Sequence, residues 1–96
     1  MTSFILACTL WSAPQVLNVV QEFNAGDYFI FQKELNGFNF EATIIEDNLN
    51  SLKISHIDSG VSTLTYGSQS NSHGYLSLRL DVKSFQSSLD CEVKSY

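Results

Sequence analysis

The stretch Ser12–Gly26 reads SAPQVLNVVQEFNAG, and whether it coils or extends decides the fold class. Ser12 is placed to cap a helix, and Gln15 three residues later completes a capping box. Pro14 is tolerated in a first turn. Trp11 before the cap and Val16 beyond it stand as a hydrophobic staple. Val16, Val19, Val20 and Phe23 then recur at helical spacing, with Leu17 widening the stripe, and Gly26 supplies a stop. The spacing predicts a helix. Its valines are weak helix formers, so it must depend on packing against a sheet.

On the N-terminal side, Ser3–Leu10 (SFILACTL) is apolar on both alternating faces. It reads as a strand inside a sheet. On the C-terminal side, Phe29–Asp47 (FIFQKELNGFNFEATIIED) is built around Asn36-Gly37, the strongest short hairpin signal. A two-residue loop pairs Leu35 with Phe38, Lys33 with Phe40, Phe31 with Ala42 and Phe29 with Ile44. That face is core, and the helix should lie on it. The opposite face carries Tyr28, Ile30, Gln32 and Glu34 against Ile45, Thr43, Glu41 and Asn39.

Farther along, LKISHID (52–58) and VSTLTY (61–66) flank Asp58-Ser59-Gly60. A three-residue loop pairs Ile54 with Leu64 and Leu52 with Tyr66, one apolar row. GSQSNSHG (67–74) is a polar loop. In YLSLRLDV (75–82) Leu76, Leu78, Leu80 and Val82 point inward, and LDCEVK (89–94) reads as a short C-terminal edge strand. The expected fold is α+β in a single domain, residues 1–96. One helix in the N-terminal half packs on a curled, mostly antiparallel sheet of five to seven strands, in the order β-α-β-β-β-β-β.

Composition bounds the function. The 96 residues carry a net charge of −5, which argues against an open nucleic-acid or membrane surface. Residues 1–52 hold six acids against Lys33 alone, while residues 53–96 hold four acids and four bases, so the acidity belongs to one half. Residues 1–13 imitate an export signal, but no basic residue precedes a short apolar run. Cys8 and Cys91 sit among alternating apolar residues and read as free thiols of a cytoplasmic protein.

No motif carries chemistry. His56 alternates with Leu52 and Ile54 and reads as a buried, hydrogen-bonded histidine. His73 lies in the polar loop without an acid to orient it. Neither the cysteine spacing nor the acids around Asp27, Glu46 and Asp47 form a metal site, and no cofactor is expected. What remains is the outer face of the first hairpin. Tyr28, Ile30 and Ile45 form an apolar patch, rimmed by Gln32, Glu34, Asn39, Glu41, Glu46 and Asp47, and that combination resembles a protein interface.

The expected function follows from that face and from size and charge. The chain reads as an acidic, non-enzymatic inhibitor that stoichiometrically occupies a basic, nucleic-acid-handling protein, as toxin-immunity and phage anti-defence (anti-CRISPR) proteins do. A self-associating structural or assembly subunit, a homodimer through the same face or through an exposed edge strand, is the alternative. A small ribonuclease-like hydrolase using Glu41, His73 and Arg79 is third.

Overall fold

The computed structural model describes residues 3–67 and 74–95. It is all-β, without a helix among the described residues. Eight strands run β1 (Ser3–Ser12), β2 (Gln15–Asn24), β3 (Tyr28–Leu35), β4 (Phe38–Ile45), β5 (Asn48–His56), β6 (Ser62–Tyr66), β7 (Tyr75–Val82) and β8 (Phe85–Ser95). They form two four-stranded antiparallel sheets, ordered β2-β1-β8-β7 and β3-β4-β5-β6. Each strand pairs with its neighbours in sequence except at β2–β3 and β6–β7, where the chain crosses between sheets. At the end β8 returns to pair with β1. The topology is an up-and-down ring, flattened into a sandwich and split at two seams.

The expected helix is strand β2, which overturns the α+β reading. The residues that resemble helix signals serve the β1–β2 hairpin instead. Ser12 and Gln15, the expected capping box, are the pair that flanks a two-residue Ala13-Pro14 turn, whose peptide bond is cis. Trp11 and Val16, the expected staple, are cross-strand partners. Period two then divides the apolar stripe. Phe23 is buried, with Leu17 and Val19 half-buried beside it, whereas Val16 and Val20 are 60% and 66% exposed. β-Branched residues fit a pleated ladder better than a helix, and pairing all ten residues of β2 with β1 satisfies the facing side of each strand's backbone.

The C-terminal strand also departs from expectation. β8 is not an edge; it lies between β1 and β7 and buries Ser87, Leu89, Cys91 and Val93. Its register sets Cys91 directly opposite Cys8, and the two form a disulfide rather than free thiols. The bridge joins positions 83 residues apart at the point where the ring closes. The single buried layer between the sheets draws Phe4, Leu6 and Leu10 from β1, Phe38, Phe40, Ala42 and Ile44 from β4, and Leu52 and Ile54 from β5. So the core face of the Asn36-Gly37 hairpin packs on a second sheet, where a helix was expected. Phe23 touches Phe4 at 5.5 Å and Phe29 at 5.2 Å, carrying aromatic packing across the β2–β3 seam.

Asn36 ties one end of the sandwich together. With φ of +48° it opens the tight turn that Gly37 completes at +86°. Its Nδ2 donates to the carbonyls of Ser12 and Ala13, and Ser12 Oγ donates back to the Asn36 carbonyl. The tips of two hairpins, one from each sheet, are thereby joined.

Candidate protein-docking face

The first hairpin has the register that Asn36-Gly37 dictates, from Tyr28 opposite Ile45 to Leu35 opposite Phe38. Its outer face is therefore the outer face of the second sheet. Tyr28, Ile30, Gln32 and Glu34 project from β3, with Asn39, Glu41, Thr43 and Ile45 beside them on β4. Lys33, on the inner row but on an edge strand, reaches solvent.

The second hairpin changes what this face contains. β5 and β6 pair Ser55 with Ser62, Lys53 with Leu64 and Ser51 with Tyr66. That is one residue away from the register expected from the apolar residues, and a one-residue slip turns every side chain of a strand over. The cause is the connection. His56 N–H donates to the Val61 carbonyl, so four residues, Ile57 to Gly60, form the loop instead of three. Thr63 and Thr65 turn inward and Leu64 and Tyr66 turn out. The expected pairing of Leu64 with Ile54 and of Tyr66 with Leu52 is therefore wrong; the two side chains are 47% and 69% exposed.

The face is thus two apolar ridges with a polar trough between them. Tyr28 and Ile30, 66% and 54% exposed, form one ridge with half-buried Ile45. Leu64 and Tyr66 form the other, on β6. Three strand spacings separate β3 from β6, about 14 Å. In the trough Glu41 lies opposite both Gln32 and Lys53. Its Oε1 accepts from Gln32 Nε2 at 2.7 Å and from Asn39 Nδ2 at 3.3 Å, so two amides hold the carboxylate in place.

The remaining acids divide by role. Glu34 is exposed near the hairpin tip. Glu46 and Asp47 form the two-residue β4–β5 turn with φ of +48° and +72°. Asp47 Oδ1 accepts the Gly26 N–H at 2.6 Å, which binds that turn to the β2–β3 crossing. Asp47 is therefore a brace as well as part of the rim. Asp27 is similarly engaged, its Oδ2 accepting the Asn24 N–H at 2.9 Å. Among the described residues no group of histidine, cysteine, aspartate and glutamate could hold a metal ion.

The hydrolase reading needs Glu41, His73 and Arg79 in one place. Glu41 stands on the outer face of one sheet. Arg79 stands on the outer face of the other, over the Trp11 ring at 5.6 Å and 3.1 Å from Asp81. His73, with most of the polar loop at 67–74, lies outside the described residues. His56 is buried, with Nδ1 2.8 Å from Ser59 Oγ and its ring against Phe38. No described helix is long and apolar enough to cross a membrane. Compared with known proteins, the chain matches no family model, no curated protein and no solved structure.

Proposed function

We propose that the chain is a protein-binding module that acts by occupying a partner through the outer face of the β3-β4-β5-β6 sheet. One observation carries the reading. Tyr28, Ile30, Leu64 and Tyr66 stand about half or more exposed on a single face, and fully burying side chains of this size yields about 1.5–3 kcal/mol each. Exposed aromatic and aliphatic anchors within a polar rim are what a docking surface offers. The acidic rim, with Glu34 and Glu46 exposed and the half-chain charge of −5 behind it, selects a partner with a basic surface and speeds encounter with it. Proteins that handle nucleic acid have such surfaces, so stoichiometric inhibition of one is the function this face suits best.

The bridge bears on where this happens. A cytoplasmic location rested on free thiols, and disulfides persist in oxidising compartments. It favours a partner met outside the reducing cytoplasm.

The test uses three proteins: the wild type, Ile30→Asp, and Glu34→Lys combined with Glu46→Lys. Partners captured by the wild type are identified and their association measured at two salt concentrations. A basic partner should be lost with Ile30→Asp, and the charge reversals should slow association at low salt while dissociation stays near the wild-type rate. Capture that is the same for all three proteins would refute the reading. Self-association abolished by Ile30→Asp would replace it with the structural-subunit alternative.

A further inference from the structure

At the sandwich end that holds the hairpin tips, a depression of about 360 Å³ opens between the two sheets. The mouth of a β-barrel or sandwich is a common ligand site, and this volume lies at the low end of the usual range of about 300–1,000 Å³. It is lined by His56, Asp58, Ser59, Val82, Lys83 and Phe85. One lip is the β5–β6 loop and the other is the two-residue Lys83-Ser84 turn, closed by the Val82–Phe85 pair. Phe85 is 52% exposed yet lies 5.6 Å from the His56 ring and nearly parallel to it, an aromatic wall left open to solvent.

The polar groups have a particular distribution. His56 is only 9% exposed. Ser59 Oγ accepts the Val61 N–H at 3.3 Å and lies 2.8 Å from His56 Nδ1. If the serine proton goes to Nδ1, each group is used once and the imidazole hydrogen sits on Nε2. Among the described residues Nε2 has no hydrogen-bond partner. Lys83 and Asp58 carry opposite charges on opposite lips. Neither forms an ion pair with the other or with any described residue. A cation, an imidazole, an anion and an apolar wall therefore border one space, and the cation and anion do not satisfy each other.

We propose that this mouth binds a small zwitterion with an apolar side chain, of the free amino-acid type. The carboxylate goes to Lys83 and His56 Nε2–H, the ammonium to Asp58, and the side chain to Phe85 and Val82. The site is separate from the docking face, so either proposal stands if the other fails.

Three probes of similar shape test it: phenylalanine, 3-phenylpropionate and phenethylamine, titrated into the 15N-labelled full chain. Phenylalanine should shift the amides of residues 56–59 and 82–85 saturably, with a Kd of about 1 mM, and each singly charged analogue should bind about tenfold weaker. Lys83→Gln should bring phenylalanine down to the level of phenethylamine while leaving phenethylamine unchanged. Asp58→Asn should do the same relative to 3-phenylpropionate. Both substitutions fall at exposed loop positions, and the same spectra report whether the fold is kept. Equal binding of all three probes, or no saturable shift at these residues with any probe, overturns the proposal.

Discussion

Opening the Cys8–Cys91 bridge should cost the protein about 4.5 kcal/mol. The cysteines are 83 residues apart, and the chain-entropy expression assigns roughly 15 cal/mol/K to a loop of that length, about 4.5 kcal/mol at 25 °C. The native state should lose little of its own. Cys8 and Cys91 are 3% and 1% exposed and held side by side by strand pairing, so the reduced thiols stay packed where the bridge was. The penalty falls on the unfolded chain, which regains its freedom. A single domain holds about 5–15 kcal/mol in total, so the loss would be about 30% of that or more. Urea titrations of the oxidised protein, the reduced protein and the Cys8→Ala/Cys91→Ala double variant measure it. The midpoint should fall on reduction, and the m-value should rise because the unbridged chain exposes more surface. Alkylation of the unreduced, denatured chain should add no label. Two labels per chain, or superimposable urea curves before and after reduction, would refute the reasoning and restore the free-thiol reading with its cytoplasmic location.

Two further outcomes follow from the turns. Asn36→Ala should destabilise by about 2–3 kcal/mol, combining left-handed strain with the lost bonds to Ser12 and Ala13, whereas Asn36→Gly should lose only the bonds, about 1 kcal/mol; chemical denaturation of both variants separates the two terms. Leu64→Lys should stay within about 1 kcal/mol of the wild type by thermal melting, because the side chain points outward; a loss of several kcal/mol would mean that Leu64 is buried and the β5–β6 register is the one expected from the apolar row.

The two hairpins show when a sequence specifies its own register. Asn36-Gly37 fixes both loop length and turn type, and from it eight consecutive pairs follow without any tertiary information. Asp58-Ser59-Gly60 fixes neither. Three- and four-residue loops both suit it, and the choice depends on His56, whose ring turns inward onto Phe38 and whose Nδ1 meets Ser59. The same ambiguity governs residues 12–23. Ser12, Pro14 and Gln15 suit a helix start and a hairpin turn equally well, and Val16, Val19, Val20 and Phe23 fit a stripe at one period and two rows at the other. Propensity leans toward strand. The tertiary fact that resolves it is that β1, apolar on both faces, needs a hydrogen-bonded neighbour on each side, and β8 supplies only one. β8 alternates as a half-buried antiparallel strand does, with Asp90, Glu92 and Lys94 on the outer face, and that pattern does not distinguish a central strand from an edge.

The docking face was legible in half for the same reason. Tyr28, Ile30 and Ile45 could be placed outside because the Asn-Gly turn left them nowhere else to go. Matching apolar residues across the second hairpin pairs Leu64 with Ile54 and Tyr66 with Leu52, and here that match selects the wrong register. In β6 the threonines occupy the half-buried inner positions, opposite Leu52 and Ile54, while the larger apolar side chains face solvent. Burial within the chain alone favours the reverse, since turning Leu64 and Tyr66 inward would bury the larger apolar area. A short edge strand whose register is set by its turn can sustain that inversion. The inversion has a use if the outer face is to be covered, because it adds a second ridge parallel to Tyr28 and Ile30 and makes the trough between them a seat for a partner. The apolar residues that look misplaced for folding are those the proposed function requires.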